Sequence, residues 1–169
     1  MEHSEPVEEF EPTGEVVRGD NGPEIIIVRS FPQSAELVWD YLTGRDDFER
    51  WYGRWKRINE TTYHLETWDG KDSADAVAVE AEKPKYLHLN VKTESGRESE
   101  LKVFFEPEAD GGCDMEFHHQ FHNDEEAIAE LGPRWEFLLD RLMLVLAGDD
   151  VNSVVLDNYL PHQKEHYQL

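Results

Sequence analysis

Alternating apolar and polar positions dominate the middle of the chain, and helical spacing marks its flanks. Gly14 to Val17, the turn-like Gly19-Asp20-Asn21-Gly22-Pro23 and the β-branched run EIIIVRSF predict a hairpin. In SAELVWDYLT, Ser34 stands as an N-cap and Leu37, Val38, Tyr41 and Leu42 fall at helical spacing, so a helix follows the first strands directly. Gly44 ends it, and RDDFERWY predicts a second short helix with Phe48 and Trp51 three residues apart. From Thr61 to Phe121 short alternating segments recur: TTYHLETW, DSADAVAVEAE, KYLHLNVKT, RESELKVFFEP and CDMEFHHQF. Between them lie Trp68-Asp69-Gly70, Lys83-Pro84, Glu94-Ser95-Gly96 and Ala109 to Gly112, whose Gly, Pro and Asp residues suit reversals. The pattern is an antiparallel meander. Its alternate positions gather Leu87, Leu89 and Val91, then Leu101, Val103 and Phe105, then Met115, Phe117, His119 and Phe121 on one face.

A long helix is predicted from Asp124 to Ala147, with acidic residues at its start and Gly148 at its end. Its stripe of Leu131, Trp135, Leu138, Leu142 and Leu146 needs a sheet to cover. Pro133 implies a kink or break near Gly132. Beyond Gly148, VNSVVLDNYLP predicts another helical turn or two, and His162 to Leu169 carry little pattern. The fold class is therefore α+β.

The 169 residues suffice for one domain with a core, which buries roughly two-thirds of the unfolded surface. Met1 to Pro12 hold five glutamates, two prolines and no Lys or Arg, so residues 1–13 are expected to form a disordered acidic tail. Residues 14–148 form the expected domain and 149–169 a C-terminal extension. Charge sharpens the picture: 38 Asp plus Glu against 16 Lys plus Arg give −22, a field that repels phosphate backbones. Nucleic acid and anionic membrane are accordingly not expected as partners. No apolar run approaches the roughly 20 residues of a spanning helix, and the N-terminus lacks a signal-peptide layout, so the chain reads as soluble and cytoplasmic. The single cysteine, Cys113, permits no internal disulfide or thiolate metal cluster and reads as a structural thiol at a strand start.

Candidate chemistry is sparse. HHQFH resembles a ligand cluster until strand alternation sends His118 and His119 to opposite faces, and no metal site is assigned. There is no Gly-x-Ser-x-Gly elbow, P-loop or Gly-x-Gly-x-x-Gly, and no catalytic residue or cofactor is assigned. His119 among apolar neighbours has two readings: it points into a cavity and hydrogen-bonds a ligand, or it is a core histidine satisfied by a backbone carbonyl.

IIIVRSFPQSAELVWDYLTGRDDFERWYG resembles the helix-grip domains of the SRPBCC superfamily, which groups START lipid-transfer and pollen-allergen-like proteins. More narrowly, it is similar to the branch named after the activator of the heat-shock protein 90 ATPase. Arg29 with Phe31, Val38-Trp39, and Leu42-Thr43 before Trp51 carry the likeness, as do FHHQF and GPRWEFLLDRLMLVLAG, with Trp135, Leu139, Leu142 and Gly148 at matching intervals. Where many relatives place a glycine before the helix tryptophan, this chain has Arg134, which implies a narrowed or reshaped pocket wall.

The resemblance implies a curved antiparallel sheet gripping the long C-terminal helix, with two short helices after the early strands and a cavity between sheet and helix. The ligand-binding wall it implies consists of Trp51, Trp55, Trp68, Phe117, His119, Trp135 and Leu139, with Trp51 at the cavity mouth and Trp39 as scaffold. Core or rim packing is the competing reading for each tryptophan. Three functions follow, in order. A carrier or sensor of an apolar or amphipathic small molecule comes first, and a protein-interaction module with a chaperone or other protein as partner second. A hydrolase or cyclase using His119 as general base comes third. A homodimer is compatible with each.

Overall fold

The computed structural model describes residues 13–19, 22–93, 96–121, 125–156, 159, 163, 166 and 167. The expected acidic tail up to residue 12, turn residues Asp20, Asn21, Glu94 and Ser95, His122 and the helix start at Asp124 lie outside the described residues.

Eight antiparallel strands form one sheet in the order β1-β2-β8-β7-β6-β5-β4-β3. They are β1 (Glu15–Gly19), β2 (Gly22–Phe31), β3 (Gly53–Arg57), β4 (Thr62–Thr67), β5 (Ser73–Glu82), β6 (Tyr86–Thr93), β7 (Glu98–Pro107) and β8 (Cys113–Phe121). Helices α1 (Ala35–Thr43) and α2 (Arg45–Glu49) sit between β2 and β3, and α3 (Glu125–Ala147) follows β8. The sheet is the curved layer of a helix-grip fold, and a bulge between Ala78 and Glu80 adds local bend to β5.

Local chemistry accounts for most of these boundaries. The Ser34 side chain accepts from Leu37 N–H and starts α1, and the Gly44 N–H closes it on the Asp40 carbonyl. Val38 and Trp39 are buried, and the Trp39 ring meets Phe105 edge-on at 6.2 Å, fastening α1 to the sheet. Two elements differ from the pattern-based expectation. GRWKR forms β3, which strand alternation did not reveal because only Trp55 among its side chains is large and apolar. Helix α3 runs unbroken through Pro133. A proline removes one ladder bond and clashes with the preceding turn; here the residue is fully buried, so surrounding contacts hold the helical path.

Register sets the inward face in rows across the sheet. Ala76, Val91, Ser99 and Phe121 form one row, Leu89, Leu101, His119 and Ile25 the next, and Leu87, Val103, Phe117 and Ile27 the third. Helix α3 packs on β2 and β8 at one end of these rows. Cys113 opens β8 and is fully buried.

The back of α3 is held by a buried polar cluster. Glu136 accepts from Thr13 N–H at 2.9 Å and from the Tyr167 hydroxyl at 2.5 Å, while Arg29 pairs with Glu136 at 3.4 Å and Asp140 at 3.1 Å. Tyr159 donates to Asp140 at 2.7 Å. Tyr159, Gln163 and Tyr167 are spaced by four residues, are linked by Gln163 N–H to Tyr159 and Tyr167 N–H to Gln163 bonds, and are completely buried. Close approach depends on glycine: a methyl group at Gly132 would overlap the Tyr167 ring, and one at Gly14 its hydroxyl.

Candidate functional site: an aromatic cavity under the long helix

Between the inward faces of β4 to β8 and the first half of α3 lies a cavity of about 390 Å³. Its size falls within the range of small-molecule pockets. Leu89, Leu101, Val103, Leu138 and Leu139 supply aliphatic surface, and Phe48, Trp51, Tyr52, Phe117, Phe121 and Trp135 supply rings. The short helices bring Trp51 and Tyr52 to the wall, since α2 ends just before them and the chain turns into β3.

Trp51 is 2% exposed; its Nε1 donates to the Tyr41 carbonyl at 2.8 Å, and Arg141 Nε donates to the Trp51 carbonyl at 2.8 Å. The indole N–H is thus engaged within the protein, and Trp51 lines the cavity with its N–H already satisfied. Arg141, buried across the Trp68 and Phe137 rings at 5.1 and 5.5 Å, has its pKa lowered by burial, opposed by Asp69.

His119 joins the two walls. Trp135 Nε1 donates to His119 Nδ1 at 2.9 Å, and His119 Nε2 lies 2.8 Å from Ser99 Oγ. An indole nitrogen can only donate, so Nδ1 accepts and the neutral ring carries its proton on Nε2, donating it to Ser99. Burial pushes the imidazole pKa down to about 3. Ser99 and His119 have the spacing of a nucleophile and its base, yet the tautomer is the opposite of what a base needs. The backbone-carbonyl partner expected for a core histidine is replaced by two side chains.

At the rim, Arg134 on α3 reaches Asp72 in the β4–β5 connection, NH2 to Oδ2 2.6 Å, and packs over the Trp68 ring at 5.6 Å. Arg134 therefore forms part of the cavity wall and spans from helix to sheet. Tyr52 lies beside this pair, stacked on Phe48 at 4.6 Å and 5.9 Å from Trp135, and burial pushes its pKa up to about 12.

Of the residues proposed from sequence, Trp51, Phe117, His119, Trp135 and Leu139 meet at this cavity. Trp55 and Trp68 do not line it. Trp55 shares a face with Leu65 but stands one strand farther out, on edge strand β3, edge-on to Tyr63 at 5.3 Å. Trp68 lies past the end of β4 and packs against Phe137 at 5.1 Å on the flank of α3. Sequence reasoning missed Tyr52, Ser99 and Asp72. Ser99 was within reach, because it alternates with Leu101, Val103 and Phe105 on β7 and is the polar member of that inward face.

Among the described residues no group of His, Cys, Asp and Glu is arranged to hold a metal, and no helix is long and apolar enough to cross a membrane.

The order of elements, the inward rows and the cavity invite comparison with known proteins. Residues 32–147 match the family described as Activator of Hsp90 ATPase homolog 1-like protein. The chain belongs to this family. Solved structures share the family's fold: CalU16 from Micromonospora echinospora superposes with a TM-score of 0.73 at 21% identity, covering 93% of this chain and 94% of that one. DynU16, described as a putative protein in the dynemicin biosynthetic locus, gives 0.68 at 17% identity over 79% of this chain and 50% of that one. The Aha1 dimer from Colwellia psychrerythraea gives 0.62 at 16% identity over 71% and 92%. At these identities the likeness is one of fold. A search of curated proteins found no match.

Proposed function

We propose that this member of the Hsp90-activator-like family is a carrier or sensor that holds an apolar or amphipathic small molecule between sheet and α3. The observation that carries this reading is the cavity of about 390 Å³ lined largely by aliphatic and aromatic side chains. An enzymatic use of His119 is disfavoured by the proton on Nε2, which points the ring's donor, not its lone pair, at Ser99. A protein-interaction module is the second reading. Val28 and Phe104, 52% and 39% exposed, flank Glu116 in one row on the outer face of the sheet and would meet a chaperone, another protein or a second copy.

Native mass spectrometry of the chain purified from its own cells tests the first reading, with Ala74→Phe as control. Ala74 lines the cavity and is only partly buried, so the added ring enters open space. The expected result is a co-purifying mass of a small molecule, lost in the variant while the unfolding midpoint stays within a few degrees. A ligand-free wild type together with a cavity that rejects apolar probes supports the interaction module.

A further inference from the structure

Most polar atoms on the cavity wall already have partners within the protein. Trp51 donates to the Tyr41 carbonyl, Trp135 to His119 and His119 to Ser99. The Thr67 hydroxyl donates to Asp69 at 2.7 Å, and Arg134 is ion-paired with Asp72. The Tyr52 hydroxyl is hydrogen-bonded by no described residue, and it sits among rings, whereas the other lining side chains in that state, Lys71, Glu98 and Glu130, are charged. Burial raises its pKa to about 12, so at neutral pH it is a proton donor. A phenol donor among rings gains when an acceptor arrives, and the neighbouring Arg134 is already neutralised by Asp72, so a neutral acceptor such as a carbonyl oxygen is the better match.

Several rings line the space around this donor. The Trp51 and Trp135 N–H edges are engaged inside the protein, and the Phe117 ring stands 4.5 Å from Trp135. Ring faces with little polar competition suit a flat π-system by offset or edge-to-face packing. Building on the carrier or sensor reading, we infer that the ligand has a planar aromatic body and a carbonyl-type oxygen. Trp51, Phe117 and Trp135 contact the body, and the Tyr52 hydroxyl donates to the oxygen. This narrows the ligand from apolar molecules in general to acceptor-bearing aromatic ones, and it makes Tyr52 the residue that selects them.

The test uses two probes of nearly equal shape, 2-acetylnaphthalene and 2-ethylnaphthalene, with dodecanoate as a saturated chain. Each is titrated against the full chain and its Tyr52→Phe variant, which keeps the ring that stacks on Phe48. The expected result is that the wild type binds the ketone roughly five- to tenfold more tightly than the hydrocarbon. The variant should lose that preference by weakening the ketone alone. A wild type with no preference, or a preference that survives in the variant, overturns the assignment of Tyr52. If dodecanoate binds and neither naphthalene does, the aromatic body is wrong while the cavity reading stands. If none of the three binds the wild type, the cavity reading falls, and the ligand assignment with it.

Discussion

His119 can be read three ways, and its neighbours fix how its ring is protonated. Its position in β8 admits a ligand contact, a core residue or a catalytic base; the indole N–H on Nδ1 leaves a neutral ring with a fixed tautomer. The folded pKa of about 3 lies below the ordinary 6.5, so the unfolded chain takes up this proton first as pH falls. The stabilisation is complete above about pH 6.5 and is lost on the way down toward 3, at up to about 1.4 kcal/mol per pH unit. Urea unfolding between about pH 7 and 5 should therefore be steeper in pH for the wild type than for His119→Gln, whose amide can still bridge Ser99 and Trp135. Equal slopes would place the imidazole in contact with water.

At the scale of elements, α3 is held from two sides, by the sheet and by Tyr159 and Tyr167. Tyr167 lies against Gly132 so closely that the glycine and the ring form one contact. Gly132→Ala should cost about 1–3 kcal/mol through overpacking. In a Tyr167→Ala background the ring is gone, and the same change should become neutral or stabilising by up to about 1 kcal/mol, because alanine is the better helix former. Denaturant unfolding of the four chains checks this reversal of sign; additive effects would mean that the two residues do not touch.

The same elements show what can be read from sequence. The hairpin, α1 with its Ser34 cap and the meander were legible because each has a clean local period and a turn chemistry that agrees with it. Strand β3 was not, since an edge strand needs little apolar content, and its Arg54, Lys56 and Arg57 are what edges carry to discourage pairing. The inward residues of the cavity followed from alternation, which is why Phe117 and His119 were placed together. Trp55 and Trp68 lie away from this cavity, a placement that local pattern does not reveal because a tryptophan's residue type does not say how far along the curved sheet its strand lies. Tyr52 and the Arg134–Asp72 pair depend on contacts between elements distant in sequence, which no local pattern encodes. Tyr159, Gln163 and Tyr167 do keep a four-residue spacing, but their polar atoms hid them as core residues until Glu136 and Asp140 appeared opposite.

For the whole molecule, charge and interior carry separate messages. The chain as a whole carries a net charge of −22, whereas the lining of the cavity balances Lys71, Arg97 and Arg134 against Asp72, Glu98 and Glu130. Approach of a strongly anionic ligand is slowed by the former, and the choice among neutral or weakly polar ligands is left to the walls. The fold joins those walls from distant parts of the chain, with two of its five tryptophans on the cavity and three elsewhere. That partition can be observed directly by following the indole N–H signals in a proton–nitrogen correlation spectrum while 2-acetylnaphthalene is added. The signals of Trp51 and Trp135 should shift in a saturable manner while those of Trp39, Trp55 and Trp68 stay in place. Saturable shifts at Trp55 or Trp68 with Trp51 and Trp135 unmoved would put the binding surface outside the helix-grip interior and contradict the cavity as the working site.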